Sequence, residues 1–135
     1  MTVLFVFAAG LIYGRCVVSE SRHEASLNLA AQALERAISG QDVAWGQAEA
    51  AYGKASRASL LDPYPLWVLE VITAWRQDQD MGSDPAVLEI LKAIRAGDYV
   101  QARRGVDDLP PSKGQELIDR LVSDLDAAKK RRTAP

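Results

Sequence analysis

The sequence predicts an all-α protein of short antiparallel helical hairpins, preceded by one apolar N-terminal helix. Apolar residues recur at intervals of three and four along most of the chain, which is the spacing of one face of an α-helix. Glycine and proline are sparse and fall between these periodic stretches, where helices end and turns begin. With 135 residues, the chain fits one domain with a modest core.

The first eighteen residues form the most apolar part of the chain. Thr2–Gly14 carries no charge, and the apolar run resumes after Arg15. A membrane-spanning helix needs about 20 mainly apolar residues, with roughly 17 as the lower limit. The segment just reaches that length if Arg15 extends towards the lipid headgroups. We therefore predict a single-pass membrane anchor over residues 1–18, whose lipid contacts come from Leu4, Phe5, Phe7, Leu11, Ile12 and Tyr13.

Two other interpretations of this segment stay open. A cleaved signal peptide begins with a positive region and ends at a small-x-small site, and neither is clear here. A helix buried in the core, or against a partner subunit, commonly has an apolar run of about 10–14 residues, as Thr2–Gly14 does. With an anchor, the chain is membrane-associated, and Arg15 and Arg22 place its body in the cytoplasm by a margin of one or two charges. Without an anchor, it is cytoplasmic.

About five amphipathic helices and one short apolar helix are expected over residues 19–128. Gly40 ends the first helix, and Asp42 is a suitable N-cap for the second, which ends near Leu61. Pro65 opens the third at its first position, after a rigid corner at residues 62–65. This third helix is apolar nearly all round, which is typical of a helix packed on several sides.

The later helices have equally clear boundaries. Asp84 starts the fourth helix, Gly97 turns the chain into the fifth, and Ser112 and Gln115 have the spacing of a capping box before the last. After residue 128 we expect a basic tail, residues 129–135, that frays. The predicted core stripes are Leu27, Ala31, Leu34 and Ile38, with Glu35 outside them; Trp45, Ala48, Tyr52, Ala55 and Ser59; Val87, Leu88, Leu91 and Ile94; Tyr99, Ala102, Val106 and Leu109; and either Leu117 or Ile118 with Leu121, Leu125 and Ala128.

Two stretches of the chain echo each other. Ile38–Asp42 and Ile94–Asp98 each place a glycine-bearing turn between one helix and an alanine-rich second helix. In the second copy, Gly97 is followed by Tyr99 and Ala102, which resembles the inter-helix turn of a tetratricopeptide repeat (TPR). The resemblance covers roughly residues 25–63 and 86–110 and implies helical hairpins that bind protein partners.

The resemblance is irregular. The two copies begin about 56 residues apart, at Ile38 and Ile94, whereas the repeat has a period of about 34. The first-helix glycine of the family pattern falls on Ile90. These departures exclude a regular array, and they leave open an ordinary helical bundle whose Gly-Asp turns are coincidental.

Residues that carry chemistry are few. Cys16 and His23 are single occurrences, which excludes an intrachain disulfide and a zinc site built on paired histidines. The acidic loop Asp78–Gly82 lacks the later ligands of a calcium loop. We therefore predict no enzymatic activity, cofactor, metal site or small-molecule substrate. A net charge of −2 argues against nucleic acid as a partner.

The aromatic residues and the terminal basic cluster are the candidate contacts. Core burial is the usual role of such aromatics, but one of them can line a groove for a partner helix or peptide. The candidate partner-binding residues are Trp45, Tyr52, Trp67, Trp75 and Tyr99. The cluster of Lys129, Lys130, Arg131 and Arg132 either complements the dipole of the last helix or contacts an anionic lipid surface at about 1 kcal/mol per residue.

Taken together, these features predict a non-enzymatic scaffold or accessory subunit of a membrane-associated complex, binding a protein partner through TPR-like hairpins. The alternative is a soluble helical subunit of an obligate oligomer. In that case the N-terminal apolar helix is buried in the assembly, because it would promote aggregation if it were exposed.

Overall fold

The computed structural model describes residues 22–134, and within them the chain is helical and contains no strand. The all-α class is therefore confirmed. The predicted apolar helix of residues 1–18 lies outside the described residues, and no helix in residues 22–134 is long and apolar enough to cross a membrane. The helices are α1 (residues 22–38), α2 (Val43–Ala58), α3 (Tyr64–Arg76), α4 (Pro85–Arg95), α5 (Tyr99–Asp107) and α6 (Lys113–Thr133).

The turns after α1 and α4 have the same backbone geometry. Gly40 and Gly97 adopt positive φ angles of 116° and 78°, which glycine reaches without a Cβ penalty. In both turns the glycine N–H donates to the carbonyl three residues earlier, and the next N–H donates to the carbonyl five residues earlier. This is the Schellman closure, which satisfies the last carbonyls of a helix. Gly40 and Gly97 thus end their helices as predicted.

Side chains cap the first turns of helices α4, α5 and α6. The carboxylates of Asp84 and Asp98 accept hydrogen bonds from the N–H groups of Ala86 and Gln101, at 3.0 and 3.1 Å. Ser112 Oγ accepts one from the Gln115 N–H at 3.1 Å, so half of the predicted capping box forms. These bonds satisfy backbone donors that have no partner within their own helix.

Other boundary predictions need correction. Asp42 precedes α2 but makes no side-chain cap bond, because its own backbone is already helical. Helix α2 ends at Ala58 instead of Leu61, and α3 begins at Tyr64 with Pro65 in second position. The Gln115 amide does not complete the capping box. It donates instead to the carbonyls of Val106 and Leu109, both at 3.1 Å, and so ties α6 to the end of α5.

The core lies where these helices meet. Helix α2 packs against α3, α4 against α5, and α6 against both α5 and α3. Most predicted stripe residues are buried, but Val87 and Leu88 are half-buried and Ile90 takes their place in the core. Glu35 was predicted to lie outside the apolar stripe, and it is buried, at 2 % exposure, because a basic side chain from α6 covers it. Helix α6 continues through Thr133, so residues 129–133 are helical instead of frayed.

Candidate functional site

The corner between α2 and α3 is organised around Asp62. Its two carboxylate oxygens accept a pair of hydrogen bonds from Arg120 of α6, at 3.0 and 3.1 Å. His23 Nε2 of α1 donates to Asp62 at 2.8 Å, and the Tyr64 N–H donates at 3.1 Å. One carboxylate therefore joins α1, α3 and α6, and the paired geometry is the one in which arginine binds carboxylates most strongly.

The charge of Asp62 is stabilised by these donors. Burial acts to raise the pKa of the Asp62 carboxyl, but the hydrogen bonds from Arg120, His23 and the Tyr64 N–H outweigh it. The pKa is consequently held below its ordinary value, and Asp62 is ionised at neutral pH. The cluster is therefore a permanent ionic link between elements that are distant in sequence.

Two tyrosines lie beneath this link. The Arg120 guanidinium stands 4.1 Å from the centroid of the Tyr64 ring, within the range of a cation–π contact. The Tyr64 hydroxyl donates to Asp124 at 3.0 Å. Tyr52 is fully buried nearby, and its hydroxyl has no partner among the described residues. Burial raises the pKa of both tyrosine hydroxyls and of the Asp124 carboxyl, so this layer resists ionisation.

The chemistry open to this cluster is limited. Both oxygens of Asp62 are engaged by protein donors. His23 donates through Nε2, and its Nδ1 is buried without a partner in residues 22–134. A nucleophile–His–Asp triad needs a hydroxyl or thiol hydrogen-bonded to that second nitrogen, and no residue in the described range supplies one. The arrangement orders the α2–α3 corner instead. In the described part of the chain, no three His, Cys, Asp or Glu side chains could hold a metal ion.

A second link joins α6 to α1 at its other end. Arg132 donates to both oxygens of the buried Glu35, at 2.6 and 3.1 Å. Lys129 donates to the Gly97 carbonyl at 3.3 Å and lies 5.5 Å from the centroid of the Tyr99 ring. Three of the four predicted lipid-contact cations are therefore engaged by the protein itself, since Lys130 forms an ion pair with Asp126 one turn earlier. Lys130 and Arg131 are nevertheless exposed.

The two links fix α1 and α6 side by side and parallel. Glu35 lies twelve residues after His23, and Arg132 lies twelve residues after Arg120. A helix rises about 1.5 Å per residue, so the Glu35–Arg132 pair stands about 18 Å along the helices from the Asp62 cluster. The basic end of α6 and the α2–α3 corner are thus at opposite ends of this helix pair.

The α2–α3 corner also carries exposed apolar side chains. Leu60 and Leu61 are 91 % and 97 % exposed, and Leu66 in the first turns of α3 is 57 % exposed. We call these three residues the leucine corner. Asp62 and two prolines hold the backbone between them, because its carboxylate caps Tyr64 while Pro63 and Pro65 have restricted φ angles. The leucines are thus presented by a stiff segment.

The predicted partner-binding aromatics fall into two groups. Tyr52, Trp75 and Tyr99 are buried at 0, 6 and 4 % exposure and pack within the chain. Trp45 is half-buried, and its ring meets that of Trp75 edge to face, with centroids 6.3 Å apart. Trp67 is half-buried and lines an open cleft of about 220 Å³. The large apolar side chains of this cleft are Trp67, Met81, Val87, Leu91, Leu109 and Ile118, and Asp84, Ser112 and Gln115 supply its polar edge. Trp75 lines a second, more polar cleft of about 280 Å³.

The partners of the two arginines were not identified from the sequence. Asp62 was recognised as part of a rigid corner, but nothing near it in the chain points to Arg120, which lies 58 residues away. Glu35 and Arg132 are 97 residues apart. The sequence holds one indication that Glu35 needs a basic partner: it lies in a stretch rich in alanine and leucine, and an unpaired buried charge is costly.

No protein-family model matches the chain, and comparisons with curated proteins and with solved structures gave no match either.

Proposed function

We propose that this chain is a non-enzymatic scaffold or accessory subunit that binds a protein partner through TPR-like helical hairpins, and that its N-terminal segment anchors it to a membrane. The observation that carries the proposal is the apolar cleft beside Trp67. Its volume of about 220 Å³ is below the roughly 300 Å³ at which small-molecule sites begin. A cleft of this size suits one or two apolar side chains anchored on a partner helix.

The hairpin part of the proposal is supported by two helix pairs. Helices α2 and α3 pack together, as do α4 and α5. In the second pair, Gly97 makes the turn while Tyr99 and Ala102 are buried, which is the use that a TPR makes of these residue types. The matching Schellman turn at Gly40 supports an internal duplication. The cleft lies at the side of α4, so a partner would contact a hairpin helix directly.

The anchor part of the proposal is supported by the uncharged run Thr2–Gly14. Such a run costs free energy in water and is stabilised by lipid or by another protein. Extraction of isolated membranes with alkaline carbonate tests it directly. The full chain is expected to stay with the membrane pellet, and release into the supernatant would exclude the anchor.

The docking part is tested by site-specific photocross-linking in the cells that produce the protein. A photoreactive residue at Val87, in the cleft, is expected to give one adduct of defined mass. The same residue at Val43, which is 79 % exposed and outside the cleft, is the matched control. Met81→Glu places a charge in the cleft and is expected to abolish the adduct. Equal adducts at both positions, or none at Val87, would exclude the cleft as the docking site.

The two tests also separate the proposal from its alternative. A chain that carbonate releases but that still cross-links through Val87 is a soluble subunit of a complex. A chain that stays in the pellet and does not cross-link is an anchored protein whose partner, if it has one, binds another surface.

A further inference from the structure

The leucine corner has no packing role in the described part of the chain. Side chains exposed at 91 % and 97 % touch little of the protein, and large apolar side chains are usually buried. Single exposed leucines are common, but here two are consecutive and a third follows within the same corner. The backbone that presents them is held by the four hydrogen bonds of Asp62. A fixed, exposed apolar corner is typical of a contact surface.

The position of the first described residues indicates what the leucine corner contacts. His23 is bonded to Asp62 at 2.8 Å, and Asp62 follows Leu61 directly. The described part of the chain therefore begins at this corner, with 21 residues before Arg22 in the sequence. Thr2–Gly14 within those residues is uncharged and apolar. A bilayer that received that segment would therefore be within reach of the leucine corner.

The nearby charges are compatible with a lipid interface. Asp62 is neutralised by Arg120, so its charge does not repel anionic headgroups. The exposed charged residues nearest the corner are Arg57 and Glu70, on either side of it in the sequence, and Arg22 and Glu24, on either side of His23; together they carry no net charge. Apolar side chains flanked by arginines are the combination found on protein surfaces that lie in the interface of a bilayer.

We infer that the leucine corner is a second membrane contact, in which Leu60, Leu61 and Leu66 enter the interface of the bilayer that receives the N-terminal segment. This inference rests on the proposed membrane anchor. It also assigns an orientation, with the α2–α3 corner at the membrane and the basic end of α6 about 18 Å further along the helix pair. That separation exceeds the Debye length of about 8 Å at physiological salt, so Lys130 and Arg131 do not contribute to lipid binding.

The test uses the full chain reconstituted in phosphatidylcholine vesicles. Cys16→Ser removes the native thiol, and Leu61→Cys then carries a nitroxide label. Oxygen concentrates in the bilayer, whereas a water-soluble nickel complex is excluded from it, so their collision rates with the label measure its depth. The matched control is Val43→Cys, at the opposite end of α2 from the corner and 79 % exposed.

At position 61 we expect more collisions with oxygen than with nickel, and at position 43 the reverse. Equal behaviour of the two labels would overturn the inference, and so would a label at position 61 that is shielded from both reagents, because protein would then cover the corner. Carbonate extraction of the same vesicles separates the causes. A chain that stays in the pellet with a water-exposed label contradicts only this inference, whereas a released chain contradicts the anchor and the inference together.

Charge variants provide a second, independent readout. The double substitution Lys130→Glu and Arg131→Glu, in vesicles that contain phosphatidylserine, is expected to leave the depth of the label at position 61 unchanged. Leu60→Ser combined with Leu66→Ser is expected to shift that label towards water without loss of helix content by circular dichroism. A shallower label in the charge variant would show that the basic end of α6 holds the membrane, contrary to the inferred orientation.

Discussion

Two regions of this chain join their helices by different means. Helices α4 and α5 are connected by a three-residue turn and pack through a small residue. Gly105 lies so close to Ile90 that a Cβ added at Gly105 would stand 2.5 Å from Ile90 Cγ1. This contact is apolar, close and local, since the two residues are near in sequence and only the absence of a side chain permits it.

Helix α6 is joined to the rest of the chain by ions instead. Arg120 binds Asp62, which is 58 residues away, and Arg132 binds Glu35, which is 97 residues away. Both arginines use two donors on one carboxylate. The ionic links thus hold together the parts of the chain that are most distant in sequence, while close apolar contact holds neighbouring helices.

The ionic links and the close apolar contact should therefore respond differently to substitution. Removal of a carboxylate leaves the guanidinium and every other donor bound to it without an acceptor. The cost in stability therefore depends on how many donors the carboxylate had bound. Addition of volume at a close helix contact instead creates steric overlap, which a compensating deletion can relieve.

Asp62→Ala is expected to have the largest effect. It removes the acceptor for Arg120, His23 and the Tyr64 N–H at once. Because Arg120 is 40 % exposed and regains some hydration, we expect a loss of about 2–3 kcal/mol in the free energy of unfolding. Urea denaturation followed by circular dichroism measures it. Asp80→Ala, in an exposed loop, is the control and should change stability by about 0.5 kcal/mol or less.

Glu35→Gln tests the second ionic link. The amide keeps the size of the side chain but removes its charge and turns a donor towards Arg132, so we expect a loss of about 1–2 kcal/mol. The effect is smaller than that of Asp62→Ala because Glu35 holds one partner instead of three. Glu89→Gln, on the exposed side of α4, is the matched control. A loss as large as that of Asp62→Ala would mean that the number of donors does not set the cost.

Gly105→Ala tests the close apolar contact between α4 and α5. Alanine favours the helix by about 1 kcal/mol over glycine, but overlap with Ile90 costs about 1–3 kcal/mol, so a net loss of about 1 kcal/mol is expected. In an Ile90→Ala background the overlap is gone, and the same substitution should become stabilising. Gly46→Ala, where no atom lies within 4 Å of the added Cβ, should be stabilising from the start. If Gly105→Ala also destabilises the chain in the Ile90→Ala background, overlap with Ile90 is not the cause of the loss.

Much of the local architecture could be predicted from the sequence. The glycines at positions 40 and 97 end α1 and α4, and Asp84 and Ser112 cap α4 and α6, because turn and cap chemistry depends on a few adjacent residues. The apolar stripes were predictable for the same reason, since helical periodicity is local. Where prediction failed locally, as at Asp42, the backbone was already helical and left no role for the side chain.

The candidate site was less predictable. The stiff corner at residues 62–65 was evident from its prolines, but the partners of its carboxylate come from α1 and α6. Charged residues such as Glu35 and Arg132 resemble ordinary surface residues until the fold brings them together. The exposure of Leu60 and Leu61 was not predicted either. The sequence pattern placed them at the end of α2, whereas α2 ends at Ala58. Long-range ion pairs and apolar exposure depend on the assembled helices, not on local pattern.

The smallest effect on stability is expected for Asp124→Asn. This substitution distinguishes the contribution of Asp124 from that of Asp62, the other carboxyl near Arg120. The pKa of Asp124 is raised, mainly by burial, whereas the pKa of Asp62 is lowered by its donors. A raised pKa means that the folded chain takes up the Asp124 proton first as the pH falls, so ionised Asp124 costs stability at neutral pH. Asparagine removes that charge and still offers an oxygen to the Tyr64 hydroxyl, so at pH 7 we expect a gain of about 0.5 kcal/mol or less.

The pH dependence gives the sharper test of this last prediction. Asp62 stabilises the fold above its unfolded pKa of about 3.9, and that stabilisation is lost as the pH falls through its lowered folded pKa. The wild-type chain partly offsets this loss, because protonation of Asp124 relieves its cost at a higher pH. Urea denaturation from pH 7 to pH 3 should therefore show the advantage of Asp124→Asn shrinking as the solution becomes acidic. An advantage that grows in acid, or a loss above about 1 kcal/mol at pH 7, would mean that the Asp124 charge supports Arg120 and belongs to the ionic link.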